Sequence, residues 1–233
     1  MQGSGEPTLN KNLPKYIEYV KSKNLYCYFL SNGYLLKDKF ANDILDSGID
    51  LIRISAIGYD KESYYNWMSK DHYNDVKESC SHLLEMIEHK GLGTELHFYH
   101  LILDNLNKQQ EIELYRKNWV DFFQGKTKHE IWMLHNWSGV YDNSPYQRID
   151  ILPSLKKRSC GRPFSKILEV RAGGLSGKKG AVAPCCMVLG NDDNAVLGHL
   201  DSSTIAQVWN GEEYQRLRQA HLSNDFDSID YCK

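Results

Sequence analysis

The stretch DLIRISA, residues 50–56, decides between two kinds of α/β fold. Read as a β-strand, it places Arg53 and Ser55 on one face and Ile54 on the other, because side chains alternate along a strand. A parallel sheet covered by helices on both faces would seldom bury Arg53. A barrel, in contrast, can line its interior with polar side chains. We therefore predict a barrel-like sheet with a polar inner face rather than a doubly wound sheet.

A second stretch, TELHFYH at residues 94–100, repeats this pattern. Glu95, His97 and Tyr99 share one face and alternate with apolar residues. His97 and His100 lie three positions apart, so they point to opposite faces. We expect them to belong to the inner and outer walls of the sheet rather than to form a metal site.

Helix-like and strand-like segments alternate four times along residues 10–140. Strand followed by helix in repeated order is typical of parallel βα units. The helical period is clearest at 72–90, where the apolar residues fall on one face. The helix-like segments are 12–23, 36–47, 72–90 and 107–123, and the strand-like segments are 25–31, 50–56, 94–102 and 129–135.

The sequence pattern changes after about residue 140, which divides the chain into three parts. We predict a partial barrel over residues 1–140, a linker over 141–159 and a small α+β module over 160–233. In this module, two short β-like runs flank a glycine-rich loop and predict a hairpin. A short helix should follow, capped by Ser202 or Ser203.

Composition narrows the classes of function. A net charge of -2 over 233 residues argues against a general nucleic-acid binder, which carries a basic excess. No apolar run approaches the roughly 20 residues of a membrane span, and the N-terminus has no apolar signal core. We therefore expect a cytoplasmic protein with neither nucleic acid nor membrane as a partner. In a reducing cytosol cysteines seldom form disulfides, so clustered cysteines are first interpreted as metal ligands.

The six cysteines divide into two groups. Cys27 and Cys80 lie in apolar segments and are interpreted as core residues, because a free cysteine behaves as a small hydrophobe. Cys185 and Cys186 are adjacent, so in an extended strand only one of them can face a given metal centre. A tetrahedral site needs four ligands, and the sequence offers three, with a fourth missing after Cys232. The second group, in segments rich in glycine and turns, comprises Cys160, Cys185, Cys186 and Cys232.

The second module resembles a SPASM domain, the auxiliary iron–sulfur module at the C-terminus of many radical S-adenosylmethionine (radical SAM) enzymes. Three features carry the resemblance: Gly180 ahead of the Pro-Cys185 step, a leucine-glycine step before a helix with the letters VWN, and the following YQRLRQAH. The resemblance implies an auxiliary [4Fe–4S] cluster bound by Cys160, Cys185 and Cys232. The role of Cys186 is doubtful, because it corresponds to a less regular position.

Near the start of the chain, Gly5-Glu6-Pro7 resembles the GEP motif that follows the second strand of the radical SAM barrel. In that family, backbone groups of the motif hold the amino group of the methionine moiety of S-adenosylmethionine. Glycine permits a close backbone approach, and Pro7 restricts Glu6 to an extended conformation. Barrel ligands bind at the carboxyl ends of strands, where this loop is expected to lie. An ordinary turn is the alternative interpretation.

The resemblance also implies cofactor contacts at three later strand ends. Ser31 and Asn32 belong to LSNG, a polar-glycine step similar to one found in the family. Ser55 ends IRIS, at a position that faces the methionyl or ribose portion of the cofactor. His135 begins HNWSG, near the expected adenine and substrate. For each residue, an ordinary cap or turn is equally compatible with the sequence.

One hallmark of the family is absent, since no C-x3-C-x2-C loop precedes the GEP motif. In the family, the thiolates of this loop bind the catalytic [4Fe–4S] cluster that chelates S-adenosylmethionine. We therefore interpret the chain as a fragment. It would contain a partial (βα)6 radical SAM barrel, with the strands after the second onward, and a SPASM module truncated at its C-terminus. A degenerate paralogue is the alternative.

The resemblance implies an enzyme that cleaves S-adenosylmethionine reductively and makes a deoxyadenosyl radical, which abstracts hydrogen from a substrate. The substrate would be a peptide, a protein or a small molecule, and the electron donor a flavodoxin or ferredoxin. The full-length enzyme would bind S-adenosylmethionine and the catalytic [4Fe–4S] cluster, but this chain alone is expected to be inactive. Two alternatives remain open: a non-catalytic iron–sulfur or zinc-binding module held by Cys160, Cys185 and Cys232, and a plain α/β interaction domain.

Overall fold

The computed structural model describes residues 5–102, 107–133, 160–173, 179–186, 188 and 195–232. The chain divides into two compact units, residues 1–134 and residues 135–233. The predicted linker over 141–159 lies outside the described residues, so the predicted domain boundaries stay predictions. No helix in the described part of the chain is long and apolar enough to cross a membrane.

Four parallel strands form the sheet of the first unit, in the order β1-β2-β3-β4. The segments predicted from the sequence are present, with their ends displaced by a few residues. The strands are β1 (Tyr28–Ser31), β2 (Leu51–Ser55), β3 (Glu95–Ile102) and β4 (Lys128–Met133). The helices are α1 (Leu13–Lys21), α2 (Asp38–Asp46), α3 (Lys61–Met68), α4 (Tyr73–Lys90) and α5 (Lys108–Tyr115), the last continued by a π-helical turn (Arg116–Val120).

The sequential strand order distinguishes the two α/β folds that the sequence left in competition. Right-handed crossovers between neighbouring parallel strands place the connecting helices on one face of the sheet. A doubly wound sheet instead reverses its strand order and receives helices on both faces. The covered face carries an apolar core that includes Ile52, Ile54, Leu96 and Phe98. The predicted barrel-type α/β fold is therefore confirmed.

The sequence pattern does not predict α3, because Tyr64 is the one buried residue on this helix. Its first turn is fixed by a capping box. The Asp60 carboxylate accepts a hydrogen bond from the Ser63 amide at 2.8 Å, and the Asp60 amide donates to Ser63 Oγ at 3.0 Å. The D-x-x-S spacing is thus the local signal that could have revealed this helix.

Cys27 and Cys80 both lie in the apolar core of the first unit, at 4% and 0% exposure. Burial raises the pKa of both thiols. A buried thiol with a raised pKa is a poor source of thiolate at neutral pH. Their interpretation as core residues rather than ligands is confirmed.

His100 and Glu111 form an ion pair inside the first unit, where their side chains are 0% and 2% exposed. His100 Nδ1 donates to the Ala56 carbonyl at 3.0 Å, and its Nε2 lies 3.0 Å from Glu111 Oε1. Because a carbonyl can only accept, the ring carries a hydrogen at Nδ1 and shares one more with the carboxyl group. The pair thus ties the end of β2 to α5. His97 lies on the other face, as predicted.

The second unit contains a three-stranded antiparallel sheet in the order β5-β6-β7. Strands β5 and β6 form the predicted hairpin. The prediction that Ser202 or Ser203 caps the next helix was wrong. The N-cap is Thr204, which forms a capping box with Gln207. The elements are β5 (Glu169–Arg171), β6 (Ala181–Ala183), β7 (Gly198–His199), α6 (Ile205–Asn210) and α7 (Glu212–Ser223).

Candidate functional site

The polar face of the first sheet is lined by side chains from β2, β3 and β4. Arg53 is in register with His97 on the neighbouring strand. The Arg53 guanidinium donates to Glu130 Oε2 at 2.6 Å, and Trp132 Nε1 donates to the same oxygen at 3.2 Å. The arginine that indicated a barrel interior is therefore paired with a carboxylate two strands away.

The same face also holds a second carboxylate and an aromatic pair. His97 Nε2 and Lys128 Nζ lie 2.6 Å and 2.7 Å from Glu95 Oε2. Hydrogen bonds from Lys128 and His97 lower the pKa of Glu95. Toward the carboxyl ends of the strands, Tyr99 meets Trp132 edge to face at 5.3 Å between ring centroids, and burial raises the Tyr99 pKa to about 12. This wall combines paired charges with a neutral phenol and an indole.

The Glu6 carboxylate fastens the GEP loop to the carboxyl end of β1. Its Oε1 accepts hydrogen bonds from Thr8 Oγ1 at 2.6 Å and Ser31 Oγ at 2.8 Å, while Oε2 accepts from the Asn32 amide at 2.7 Å. It also caps the short 3-10 helix Pro7–Leu9 through the Thr8 amide at 3.0 Å. Glu6 has φ -89° and ψ 113°, the extended conformation expected before a proline. The side chain is thus occupied with positioning the loop backbone.

Ser31 and Asn32 complete this loop anchor. Ser31 is buried, and its Oγ also accepts a hydrogen bond from the Gly33 amide at 3.0 Å. Asn32 Oδ1 accepts from the Tyr34 amide at 2.9 Å, as in an Asx-turn. Both side chains therefore act on the backbone of their own loop, and their contact with a cofactor stays a prediction.

The remaining predicted cofactor residues differ in what the structure says of them. Gly5 is exposed, and a Cβ built on it would meet no atom within 4 Å. Ser55 ends β2 on the polar face, in register with Tyr99. His135 lies outside the described residues. The structure therefore brings Gly5, Glu6 and Pro7 to the end of β1 and leaves ligand binding at each position a prediction.

At two positions of the SPASM-like pattern, the backbone conformation explains why the residue is glycine. Gly180 has a φ of +65°, and a Cβ there would lie 3.2 Å from Leu200 Cβ. Gly198 has a φ of +153°, and its Cβ would lie 2.9 Å from both Cγ atoms of Val208. Side chains rarely adopt these φ values, and the second position has no room for one. The leucine-glycine step is thus required by the packing of β7 against α6.

Three cysteines of the second unit lie within electrostatic reach of one another. The pKa of Cys232 is raised to about 11, first by burial and then by negative charge at Cys185 and Cys160. Burial, and after it Cys232, raises the pKa of Tyr231 to about 12. The predicted ligands Cys160, Cys185 and Cys232 therefore share one neighbourhood, and their iron binding stays a prediction.

Cys186 has a different environment from its neighbour Cys185. Strand β6 ends at Ala183, so the pair lies in the turn beyond it and not in the extended strand that the sequence argument assumed. Cys186 Sγ accepts a hydrogen bond from Arg162 Nη1 at 3.0 Å. The Arg162 amide in turn lies 3.5 Å from Cys160 Sγ. An arginine thus stands between two of the cysteines.

Buried polar atoms without a protein partner are found in the second unit. His221 Nδ1 accepts the Cys160 amide at 3.2 Å, so the neutral ring carries its hydrogen at Nε2. Buried donors are costly unless they meet an acceptor, and the sulfurs of iron–sulfur clusters accept hydrogen bonds. The unpartnered His221 donor beside Cys160, together with the thiols, therefore fits a [4Fe–4S] group. The unpartnered atoms among the described residues are His199 Nδ1, Arg218 Nη2, His221 Nε2 and the Tyr231 hydroxyl oxygen.

A single-ion site finds no support in the part of the chain that the structure describes. No three side chains of His, Cys, Asp or Glu are placed there to hold one metal ion. A [4Fe–4S] cluster distributes its cysteine ligands over different irons, so its thiols stand farther apart than those around one zinc ion.

A sheet of parallel strands in sequential order, with one polar face and a glycine loop at its strand ends, defines a β/α-barrel protein. The second unit adds a small cysteine-bearing α+β module to this barrel. The model of the radical SAM superfamily matches residues 1–116, and that of the SPASM iron-sulfur cluster-binding domain matches residues 177–233. The chain belongs to the radical SAM superfamily and carries a SPASM domain, as the sequence motifs predicted.

Curated relatives match the chain over shorter stretches. An uncharacterized protein of Methanocaldococcus jannaschii is 36% identical over 73 residues, which are 31% of this chain and 26% of that protein. A protein of Methanococcus maripaludis named "Probable GTP 3',8-cyclase" is 27% identical over 82 residues, which are 35% of this chain and 28% of that protein. The match thus spans little more than a quarter of the length of these relatives.

A solved structure is similar over nearly the whole chain. The crystal structure of BtrN in complex with AdoMet and 2-DOIA aligns with a TM-score of 0.54 and 17% identity. The alignment covers 98% of this chain and 68% of BtrN. At this identity the likeness establishes the fold, and it agrees with the parallel sheet of the first unit.

No sequence motif identifies Arg162, His221 or Tyr231 as site residues. Arg162 follows Cys160 by two positions and Tyr231 directly precedes Cys232, so closeness to a predicted ligand could have drawn attention to both. His221 lies 61 residues from Cys160 along the chain. No local signal connects those two residues, and only the packing of α7 does.

Proposed function

We propose that this chain is part of a radical SAM enzyme with an auxiliary [4Fe–4S] cluster. Reductive cleavage of S-adenosylmethionine at a catalytic [4Fe–4S] cluster supplies the deoxyadenosyl radical that abstracts hydrogen from the substrate. A flavodoxin or ferredoxin donates the electron, and the substrate is a peptide, a protein or a small molecule of the cytoplasm. Cys160, Cys185 and Cys232 hold the auxiliary cluster.

The anchored GEP loop is the observation that carries this proposal. The Glu6 carboxylate holds the loop at the carboxyl end of β1 through Ser31 and Asn32. Gly5 leaves open space beside the backbone. The loop backbone can therefore receive the amino group of the methionine moiety, while Ser55 at the end of β2 lines the same end of the sheet.

Replacing Glu6 with glutamine should weaken S-adenosylmethionine binding by about tenfold. An amide offers one acceptor oxygen, so it cannot accept from both Ser31 Oγ and the Asn32 amide as the carboxylate does. The loss of about 1–2 kcal/mol of restraint lowers the population of the binding-competent loop. Equilibrium dialysis with labelled S-adenosylmethionine measures the effect, with Glu62→Gln on the exposed start of α3 as the control. Equal affinities for wild type and Glu6→Gln would contradict the role of the anchor.

We further propose that the 233-residue chain alone forms no deoxyadenosine, because its sequence has no C-x3-C-x2-C loop. Anaerobic incubation with S-adenosylmethionine and dithionite, followed by chromatography, should give no product above a protein-free control. Deoxyadenosine in proportion to the protein would overturn this proposal.

A second candidate is a non-catalytic module derived from the same family, with Cys160, Cys185 and Cys232 as its metal ligands. Metal and sulfide analysis after anaerobic purification separates the possibilities. Iron with acid-labile sulfide supports an auxiliary cluster, and zinc supports a single-ion module. A chain with neither metal supports an α/β interaction domain with incidental cysteines.

A further inference from the structure

Arg162 lies beside two thiols of the second unit. Its Nη1 donates to Cys186 Sγ at 3.0 Å, and its backbone amide lies 3.5 Å from Cys160 Sγ. The residue begins the short 3-10 helix Arg162–Phe164, whose second position is a proline. Because proline fixes its own φ, the backbone of this turn is restrained. The guanidinium is thus held beside the cysteines from both its backbone and its side chain.

The electrostatic environment of Arg162 agrees with this geometry. Burial lowers its pKa, but negative charge at Cys186, Cys185 and Cys160 outweighs this effect, so the pKa is raised overall. A guanidinium stays charged at every accessible pH, so the positive charge is permanent. The geometry adds that the Arg162 amide lies 3.5 Å from the sulfur of Cys160, one of the proposed cluster ligands.

The two adjacent cysteines differ in one contact, the hydrogen bond from Arg162. Cys185 acts electrostatically on Cys232, Tyr231 and Tyr214. Cys186 instead receives the hydrogen bond of the guanidinium. A sulfur that accepts a short bond from a cation has its lone pair directed at that cation. In the turn after β6, the side chain of Cys186 is therefore directed at Arg162.

We propose that Arg162 places a permanent positive charge beside the auxiliary cluster and that Cys186 anchors this charge instead of binding iron. The inference rests on the proposed function, since it requires an auxiliary cluster at Cys160, Cys185 and Cys232. Reduction adds one negative charge to a cluster, and a nearby cation stabilises the reduced form. Arg162 is then a positioning residue that raises the reduction potential of the cluster, because net charge and hydrogen bonding set that potential.

A redox titration of the reconstituted full chain, monitored by electron paramagnetic resonance, tests whether the Arg162 charge raises the reduction potential of the cluster. For Arg162→Gln, the ratio of reduced to oxidised cluster at a fixed potential should fall at least tenfold, a shift of about 59 mV for one electron. Arg162→Lys keeps the charge and should shift far less. Arg216→Gln is the matched control, because Arg216 is exposed and paired with Glu213. Equal potentials for Arg162→Gln and Arg216→Gln would overturn the inference.

Two variants of Cys186 test the anchor independently of Arg162. Cys186→Ala removes the acceptor and should retain iron and sulfide while shifting the potential in the same direction as Arg162→Gln. Cys186→Ser keeps an acceptor and should stay near the wild-type potential. If Cys186→Ala loses iron as Cys185→Ala does, Cys186 is a ligand and the inference fails. A wild-type chain that binds no iron or sulfide would refute the proposed function instead.

Discussion

Replacing His100 with leucine is expected to destabilise the first unit by about 3–5 kcal/mol, because it removes the imidazole that lies 3.0 Å from the buried Glu111 carboxyl group. Both side chains are inaccessible to water, at 0% and 2% exposure. The Ala56 carbonyl would lose its hydrogen bond from Nδ1 as well. Urea unfolding followed by tryptophan fluorescence measures the loss, and hydrogen exchange of the β3 amides assigns it to the first unit.

The double variant His100→Leu/Glu111→Leu separates the lost pair from a general packing defect. Well-packed apolar replacements of both partners are often neutral, so the double variant should recover most of the stability. His82→Leu is the control, since the His82 side chain is 74% exposed and its nearest carboxylate is 3.9 Å away. A double variant as unstable as the single one would contradict the ion-pair explanation.

Replacing Cys185 with alanine is expected to abolish iron and acid-labile sulfide binding in the second unit. A four-iron cluster needs its cysteine thiolates, and this chain offers a minimal set. Cys185 also shares the neighbourhood of Cys232 and Tyr231, because it contributes to the raised pKa of both groups. Its removal should therefore leave too few ligands for reconstitution. Iron and sulfide assays, together with the loss of visible absorbance, measure the result.

Cys27→Ala is the matched control for this experiment. It removes a thiol from the core of the first unit, where the sulfur is buried among apolar side chains. Iron and sulfide should stay at the wild-type level, because this cysteine is no ligand in our proposal. Retention of a full cluster by Cys185→Ala, with unchanged absorbance, would refute the assignment of Cys185.

Much of the fold was accessible from the sequence because its signals are local. The alternation of Arg53 and Ser55 with Ile54 identified a sheet with one polar face, since the side-chain period of a strand is fixed by its backbone. The Glu6-Pro7 conformation followed from the steric restriction before proline. Helix α3 was not predicted, because a single buried tyrosine produces no helical hydrophobic period. Asp60 and Ser63 nevertheless carried the sequence signal of a capping box.

The candidate site could be predicted only in part from the sequence, because a motif identifies residues but not the groups that they contact. The GEP motif identified Glu6, yet the two acceptor oxygens of Glu6 are filled by Ser31 and Asn32, 25 and 26 residues later. For the adjacent cysteines, the sequence argument assumed an extended strand. The strand in fact ends at Ala183, so a turn sets the direction of each thiol.

The sequence by itself determined the family, the parallel βα order and the group of candidate ligand cysteines. Each of these follows from the local spacing or alternation of residues along the chain. Only the tertiary structure decided which groups meet. It joined His100 to Glu111, placed His221 at the amide of Cys160, and directed Arg162 to Cys186. The physical reason is that these contacts close loops of 11 to 61 residues. Their geometry depends on the packing of whole elements, which no local pattern encodes.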